Sequence, residues 1–459
     1  MCQSMKKLLL IAYHFPPDAE VGGIRAAKFA KYLPEFGYEP YVLTIKEKNI
    51  RQKDENRLKD VSEIKIFRAA LWPNIMEILL MLRNLIFLRT VIKGSGSGSN
   101  TTDFYHPPEV NPPGPIRAGN TSGLAYHIKR FLDSILELPD KMIGWLIPAV
   151  WKGYWLIKKE GIEIVLTSSP PLTVGIIGLV LSKLTGVKLV TDLRDPLELH
   201  KRKHESRRTI LSDTIEKWIE KKIMYGSGKI ISTTIQYTEL LRSCYPELPT
   251  DKFCTISNGF DSSDYNLSDT NNDESDSFIL TYLGTFYHGR TPKEFLEAIS
   301  QLCKENIIPI DKLKVNLIGD VCYAEGIPVE ELIKKCNLNG CINISNKIPY
   351  KESLVQMRKA VVLLLFAPEQ YYAIPAKAYE YLFAKRYILC FAKDGATADL
   401  IRKTKSGIVV DPYNVRVIKD AVKKLYLFWE SRKKLTIDKD LLLYERRELT
   451  RRLSQILDA

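Results

Sequence analysis

Short apolar runs alternate with longer, helix-period segments through most of the chain. In the first half, residues 7–12, 39–44, 64–68, 162–167, 188–191, 229–232 and 253–256 have the length and apolar content of strands. Segments such as 25–33 and 174–184 between them carry apolar residues at helical spacing. Strands alternating with helices predict a parallel sheet covered by helices on both faces. A polar, acidic passage over 261–277 (DSSDYNLSDTNNDESDS) interrupts this rhythm and reads as an interdomain linker. The alternation then restarts. Strands are expected at 278–283, 314–318, 341–345, 361–366, 387–391 and 407–410, and helices at 292–304, 329–336, 350–358, 375–384 and 397–403. The charged tail 415–457 is expected to form two helices. The fold class predicted is α/β, with two Rossmann-like domains facing across a cleft. Residues 1–262 make the first domain, 263–277 the linker and 278–459 the second domain with its terminal helices.

At 459 residues the chain exceeds one ordinary core, which agrees with two domains. Its 45% hydrophobic and 26% charged composition is that of a soluble globular enzyme. The insert 93–123 differs: GSGSGSN followed by a Pro/Gly-rich passage reads as a surface loop, natural or an engineered linker. The eight cysteines include no C-x-x-C pair and no close His/Cys cluster, so reduced thiols and a cytoplasmic location are expected. The apolar run 8–12 is too short for a signal-peptide core. Charges at Glu77, Arg83 and Arg89 break the stretch 75–92, and a spanning helix needs about 20 predominantly apolar residues.

The net charge of +13 and pI near 9.1 favour anionic partners without choosing among them. No nucleic-acid signature accompanies the charge, and the basic run 201–208 reads as a solvated loop, so no nucleic-acid partner is expected. His14, His200 and His288 are read as structural.

Candidate chemistry sits where strands end, since ligands of open α/β sheets bind beyond the carboxyl ends of the strands. After residue 283 comes GTFYHGRTPKEFLEAI. Gly284 and Gly289 permit tight backbone, Thr291 is expected as an N-cap with Pro292 at the first helical position and Glu294 completing a capping box, and Arg290 offers a forked cation. A helix N-terminus with an arginine suits a diphosphate, although a plain strand–turn–helix reads the same way. In AIPAKAYEYLFAKRYILCFA, Lys377 and Glu380 share a helix face, where the ammonium could meet a phosphate and the carboxylate two vicinal hydroxyls. An ordinary surface ion pair reads equally well. Asp192, Arg194 and Asp195 in VTDLRDP end an apolar strand, placed either to serve a cleft or to cap a helix. The opening passes from a strand through Pro-Pro to Gly22-Gly23 and a helix carrying Arg25; its long loop and adjacent glycines are not the G-x-G-x-x-G dinucleotide fingerprint.

Together these segments resemble glycosyltransferase family 4, in its bacterial polysaccharide-type branch with the GT-B fold, over nearly the whole chain apart from the insert. FPPDAEVGGIRAAKFAKYLPEFGYEPYVLT resembles that family's N-terminal loop and first helix, SSPPLTVGIIGLVLSKLTGVKLVTDLRDP its mid-domain signature, and TISNGFD the passage closing its first domain. IPAKAYEYLFAKRYILCFAKDGATADLIRKTKSGIVV resembles its nucleotide-binding half.

The resemblance implies a retaining, metal-independent transfer from a nucleoside-diphosphate sugar to a saccharide or polyprenyl-linked acceptor, with no cofactor. Glu380 would bind the donor's ribose. Gly284, Thr285, Arg290 and Ile374 would lie at its diphosphate and sugar, and Gly22 and Gly23 near the transferred sugar. Asp192, Asp195, Arg290 and Lys377 are the candidate catalytic residues. Two positions depart from the family pattern. Tyr372 stands where members place a sugar-contacting glutamate, with Glu369 out of register, and Thr285 stands where they place a phosphate-binding arginine. Lys377 is expected to supply the missing cation.

Aromatic residues at 71–92 and at Trp145, Trp151, Tyr154 and Trp155 read either as core-packed helices or as a peripheral membrane contact at the inner face of the plasma membrane. A sugar-nucleotide 2-epimerase and a non-catalytic scaffold on the same fold are the alternative functions.

Overall fold

The computed structural model describes residues 5–73, 138–196, 210–264, 275–287, 289–432 and 440–459. The insert 93–123, residues 74–92 of the first aromatic-rich stretch, the basic run 201–208, residues 265–274 of the acidic passage, His200 and His288 lie outside them.

In the first lobe, β1 (Lys6–Ala12), β2 (Tyr38–Ile45), β3 (Lys65–Ala69), β4 (Ile164–Ser169), β5 (Lys188–Leu193), β6 (Lys229–Ser232) and β7 (Phe253–Thr255) form one sheet. Its order is β3-β2-β1-β4-β5-β6-β7 and every pairing is parallel. Successive strand side chains point to opposite faces, so a strand covered on both sides must be apolar throughout. β1 follows that rule. Leu8 and Leu10 enter one core with α1 (Gly22–Tyr32), while Leu9 and Ile11 enter another with α2 (Leu146–Glu160) and α3 (Leu172–Thr185). A further cluster gathers α4 (Ile210–Gly226) and α5 (Ile235–Cys244) against β5 to β7.

The second lobe repeats the plan. β8 (Phe278–Thr285), β9 (Leu313–Asp320), β12 (Ile342–Ser345), β13 (Val362–Phe366), β14 (Tyr387–Phe391) and β15 (Gly407–Val410) make a parallel sheet in the order β12-β9-β8-β13-β14-β15. A small antiparallel hairpin, β10 (Tyr323–Ala324) and β11 (Ile327–Pro328), branches from it. The periodicity does not foretell this hairpin, whose turn residues Glu325 and Gly326 adopt φ 51° and 79°. Both central residues of a type I′ hairpin turn need positive φ. One face of the sheet carries α6 (Lys293–Lys304), α7 (Val329–Lys335) and α11 (Val415–Glu430); the other carries α8 (Tyr350–Lys359), α9 (Ala376–Ala384) and α10 (Ala396–Lys403).

The final helix, α12 (Arg446–Asp458), corrects the expectation that it belongs to the second lobe. Leu449, Leu453 and Leu457 pack beside Leu8, Leu10 and α1, and Asp458 accepts from Lys6 at 2.6 Å and Tyr38 at 2.7 Å. Apolar spacing shows that a helix has a buried face but not which core receives it. The chain therefore passes between the lobes twice, and the two passes lie side by side. Phe260 donates to the Tyr444 carbonyl at 3.1 Å and accepts from the Arg446 amide at 2.8 Å. A Cβ at Gly259 would collide with that same Tyr444 carbonyl, so this close approach requires glycine.

Candidate active site

In both sheets the order of connection reverses once, between β1 and β4 and between β8 and β13. The loops after these strands diverge to opposite faces and leave a crevice, the usual ligand position of such sheets. All the candidate binding residues of the second lobe lie at its reversal. Gly284 and Thr285 end β8 and Arg290 follows it, while Ile374, Lys377 and Glu380 follow β13.

Beyond Val362↔Leu280 and Leu363↔Thr281, β13 no longer pairs with β8. The polar groups of Leu283 near the end of β8 are served by α9 instead. The Leu283 amide donates to the Tyr381 hydroxyl at 3.1 Å, and its carbonyl accepts from the Lys377 ammonium at 2.8 Å. That ammonium lies 4.2 Å from the centre of the Tyr282 ring. Gly284 adopts φ 155°, an angle that favours glycine, with the Lys377 ammonium and the Tyr282 hydroxyl close against it.

Arg290 is buried, with its guanidinium 4.3 Å from the Tyr287 ring centre, and acts electrostatically on the Tyr282 hydroxyl, which donates to the Thr285 carbonyl at 3.0 Å. Lys377 lies within the field of both Arg290 and Glu380. Burial first and Arg290 second push its ammonium well below the usual lysine range, with Glu380 acting in opposition. Burial likewise raises the Glu380 carboxyl, while Tyr350, Arg446 and Lys377 pull the other way. Lys377, set against Gly284, thus lies in the field of a second cation and of a carboxylate. An ammonium has three protons and the Leu283 carbonyl takes one, so Lys377 retains donors for an anion.

The helix at this loop begins one residue later than expected. Pro292 is its cap, and the Thr291 hydroxyl accepts from the Lys293 amide at 3.2 Å.

Between the lobes runs a cleft of about 2630 Å³, with Gly23 on one wall and Gly284 and Thr285 on the other. Gly22 is packed against the guanidinium of Arg194, which donates to the Gly22 carbonyl, and a side chain at Gly23 would press on the His14–Phe15 backbone at 3.1–3.3 Å. His14 is bonded to Asp18 at 2.7 Å. Ile374 packs on the core beneath α9.

Asp192 is corrected. It is 0% exposed, and both carboxylate oxygens take Arg25 at 2.8–3.1 Å while Ser168 donates at 3.2 Å. Such a group reaches no substrate. Arg25 extends the pair to the carbonyls of Ile256 and Ser257, tying the sheet to the interlobe crossing. Asp195, by contrast, is exposed at the end of β5.

Sequence reading missed Arg446, which starts α12, is buried, and acts electrostatically on Glu380. No local pattern signals an arginine 66 positions away along the chain. Among the described residues no group of three or more His, Cys, Asp or Glu stands where it could hold a metal ion, and no helix is long and apolar enough to cross a membrane.

Solved structures share this architecture. Sucrose-phosphate synthase from Thermosynechococcus elongatus aligns at TM-score 0.59 and 16% identity, over 98% of this chain and 94% of that one. HepE from Anabaena, crystallised with UDP, aligns at 0.60 and 13%, over 99% and 100%. A Listeria monocytogenes protein assigned as a UDP-N-acetylglucosamine 2-epimerase aligns at 0.51 and 11%, over 100% and 98%. No curated protein sequence matches the chain significantly. The fold is GT-B, and residues 266–438, which span the second lobe as far as α11, match the family described as glycosyl transferases group 1.

Proposed function

We propose that the chain transfers a sugar from a nucleoside-diphosphate sugar held by the second lobe to an acceptor presented by the first. The reading is carried by Lys377, set against Gly284 in the field of Arg290 and Glu380, on the lobe that matches the glycosyl transferase family. Buried like charges repel, and an anion placed between Arg290 and Lys377 relieves that cost. The departing nucleoside diphosphate is such an anion. Its charge grows as the sugar leaves, and fixed cations with the amides of a helix start stabilise it most at that moment. Glu380 is then the acceptor for the ribose hydroxyls. Retention of anomeric configuration, independence of metal ions and the absence of a further cofactor belong to the same proposal. HepE has also been crystallised with UDP-glucose, which makes UDP the first diphosphate to try.

The acceptor is proposed to be a saccharide of cell-surface polysaccharide synthesis, carried on a lipid. The aromatic stretch supports this only in part. Trp145 is wholly buried against Tyr13, whereas Trp151 is 68% and Trp155 54% exposed on α2, with Lys158 and Lys159 at the end of that helix. Tryptophans beside lysines suit the headgroup region of an anionic inner leaflet.

The test is a panel of sugar nucleotides with and without acceptor, following diphosphate release and the identity of the sugar. A transferase releases diphosphate, an epimerase alters the sugar, and a scaffold does neither. The reading predicts that Lys377→Ala weakens sugar-nucleotide binding roughly 10- to 100-fold, the worth of one charge-assisted hydrogen bond, and leaves free nucleoside binding unchanged. Equal losses for both ligands would overturn it.

A further inference from the structure

The loop between β13 and α9 does more than deliver Lys377. At Tyr372 it leaves its own lobe and touches the other. The Tyr372 carbonyl accepts from the Thr234 hydroxyl at 2.6 Å, and its side chain packs on the first-lobe cluster containing Leu193, Tyr237 and Phe253. A second bridge lies alongside, from the Gln236 amide to Asp399 at 2.7 Å.

Both sides of this contact are braced. Behind Tyr372, the Ala396 amide donates to the Tyr371 carbonyl at 2.8 Å and the Thr397 hydroxyl to the Ala373 carbonyl at 2.9 Å. In front of it, Thr234 also caps α5, accepting from the Tyr237 amide at 3.1 Å. Its neighbour Thr233 donates to the Arg194 carbonyl at 2.8 Å, and Arg194 holds the Gly22 and Pro170 carbonyls. A continuous set of contacts therefore joins the glycine loop of the first lobe to the segment that carries Lys377 in the second.

Two bodies joined only where Phe260 meets Tyr444 and Arg446 can pivot about that crossing. A second contact removes the pivot. The recorded contacts of Tyr372, Thr234 and the Gln236–Asp399 bridge run from one lobe to the other. We propose that Tyr372, with Thr234 and the Gln236–Asp399 bridge, is a positioning latch that sets the angle at which the two lobes face each other during transfer. This rests on the two-lobe transfer reading for its consequence in turnover, but not for its effect on shape.

The experiment compares Tyr372→Ala and Tyr372→Phe with the unaltered chain. Small-angle scattering reports lobe separation, calorimetry reports UDP affinity and melting reports folding. Turnover is followed with whichever donor the panel identifies. The groups proposed to hold the nucleoside diphosphate all lie on the second lobe, so Tyr372→Ala should increase the radius of gyration and lower kcat roughly 10- to 100-fold, the cost of reacting groups about 1 Å out of place, with UDP affinity unchanged. Tyr372→Phe keeps the ring and the carbonyl and should restore both shape and rate. Unchanged scattering in Tyr372→Ala overturns the latch, as does a parallel loss of UDP affinity, which would put Tyr372 in the binding site. A phenylalanine variant as impaired as the alanine one also overturns it. If no donor is turned over, the transfer reading fails while the scattering result still decides the latch.

Discussion

Lys377 is the residue on which chemistry and architecture meet. Its ammonium closes the open end of β8 through the Leu283 carbonyl and at the same time shares a field with Arg290 and Glu380. Burial and Arg290 lower its pKa; a diphosphate beside it would favour the charged form and raise the pKa again. Binding should therefore take up a proton wherever the free site is partly neutral, and affinity should fall as pH rises through that range. Titrating UDP into the protein in two buffers of different ionisation enthalpy measures this directly. Net uptake is expected for the unaltered chain, and none for Lys377→Met. That Lys377 and Glu380 lie on one face of α9 was legible in their spacing, because residues three apart along a helix share a face. That Lys377 spends one proton on Leu283 was not legible, since the need arises from two strands that part company at the sheet's reversal.

At the level of elements, α1 is joined to the interlobe crossing by a buried ionic cluster. Lys28 lies within 2.6–2.7 Å of Asp60, Asp261 and Asp264, and Lys31 reaches Asp60 at 2.9 Å. Burial pushes the Asp60 and Asp261 carboxyls up, but the lysines outweigh it and leave both below the usual range. Their contribution to stability is thus present above an unfolded pKa of about 4 and is lost as pH falls through the lowered values. Asp264 has the opposite sign, because burial prevails and raises it. Lys28 is raised by its acidic partners against the effect of burial, so its share persists through neutral pH and fades only above about 10.4. Lys28→Met leaves Asp264 without its cation and Asp60 and Asp261 with Lys31 alone, and should cost about 3 kcal/mol at pH 7. Thermal melts at pH 7 and pH 4 would show the gap from the unaltered chain narrowing at the lower pH. In the sequence Lys28 passes for a solvated lysine of an amphipathic helix. Two of its partners lie more than 200 residues away, and only folding brings them to it.

Across the whole molecule, the outer surface of the first lobe carries apolar residues that the cores do not use. Ile147, Trp151 and Trp155 stand exposed at four-residue intervals along α2. On α4, Leu211, Trp218 and Tyr225 recur every seven, with Lys222 5.5 Å from the Trp218 ring centre. α2 packs on α3 and α3 on α4, so both ridges belong to one helical layer. Flotation with vesicles containing phosphatidylserine should carry the protein at low salt. A Trp151→Ser, Trp155→Ser double variant should stay behind, and raised salt should weaken binding because the lysines are screened. Equal flotation of the variant would dismiss this surface as the contact.

Strand and helix positions, the division into two α/β units and the glycine-bearing loops at the strand ends were determined by the chain itself. Hydrophobic period, strand-end glycines and local charge all act over a few residues, and a sequence displays them openly. The tertiary structure decided which strands became neighbours, and with them the two reversals where the candidate residues gather. It sent α12 back to the first core, made Asp192 a buried partner of Arg25 and carried Tyr372 across to the other lobe. Each of these outcomes depends on contacts between distant segments, chosen by which buried faces fit together and which buried charges find a counter-charge.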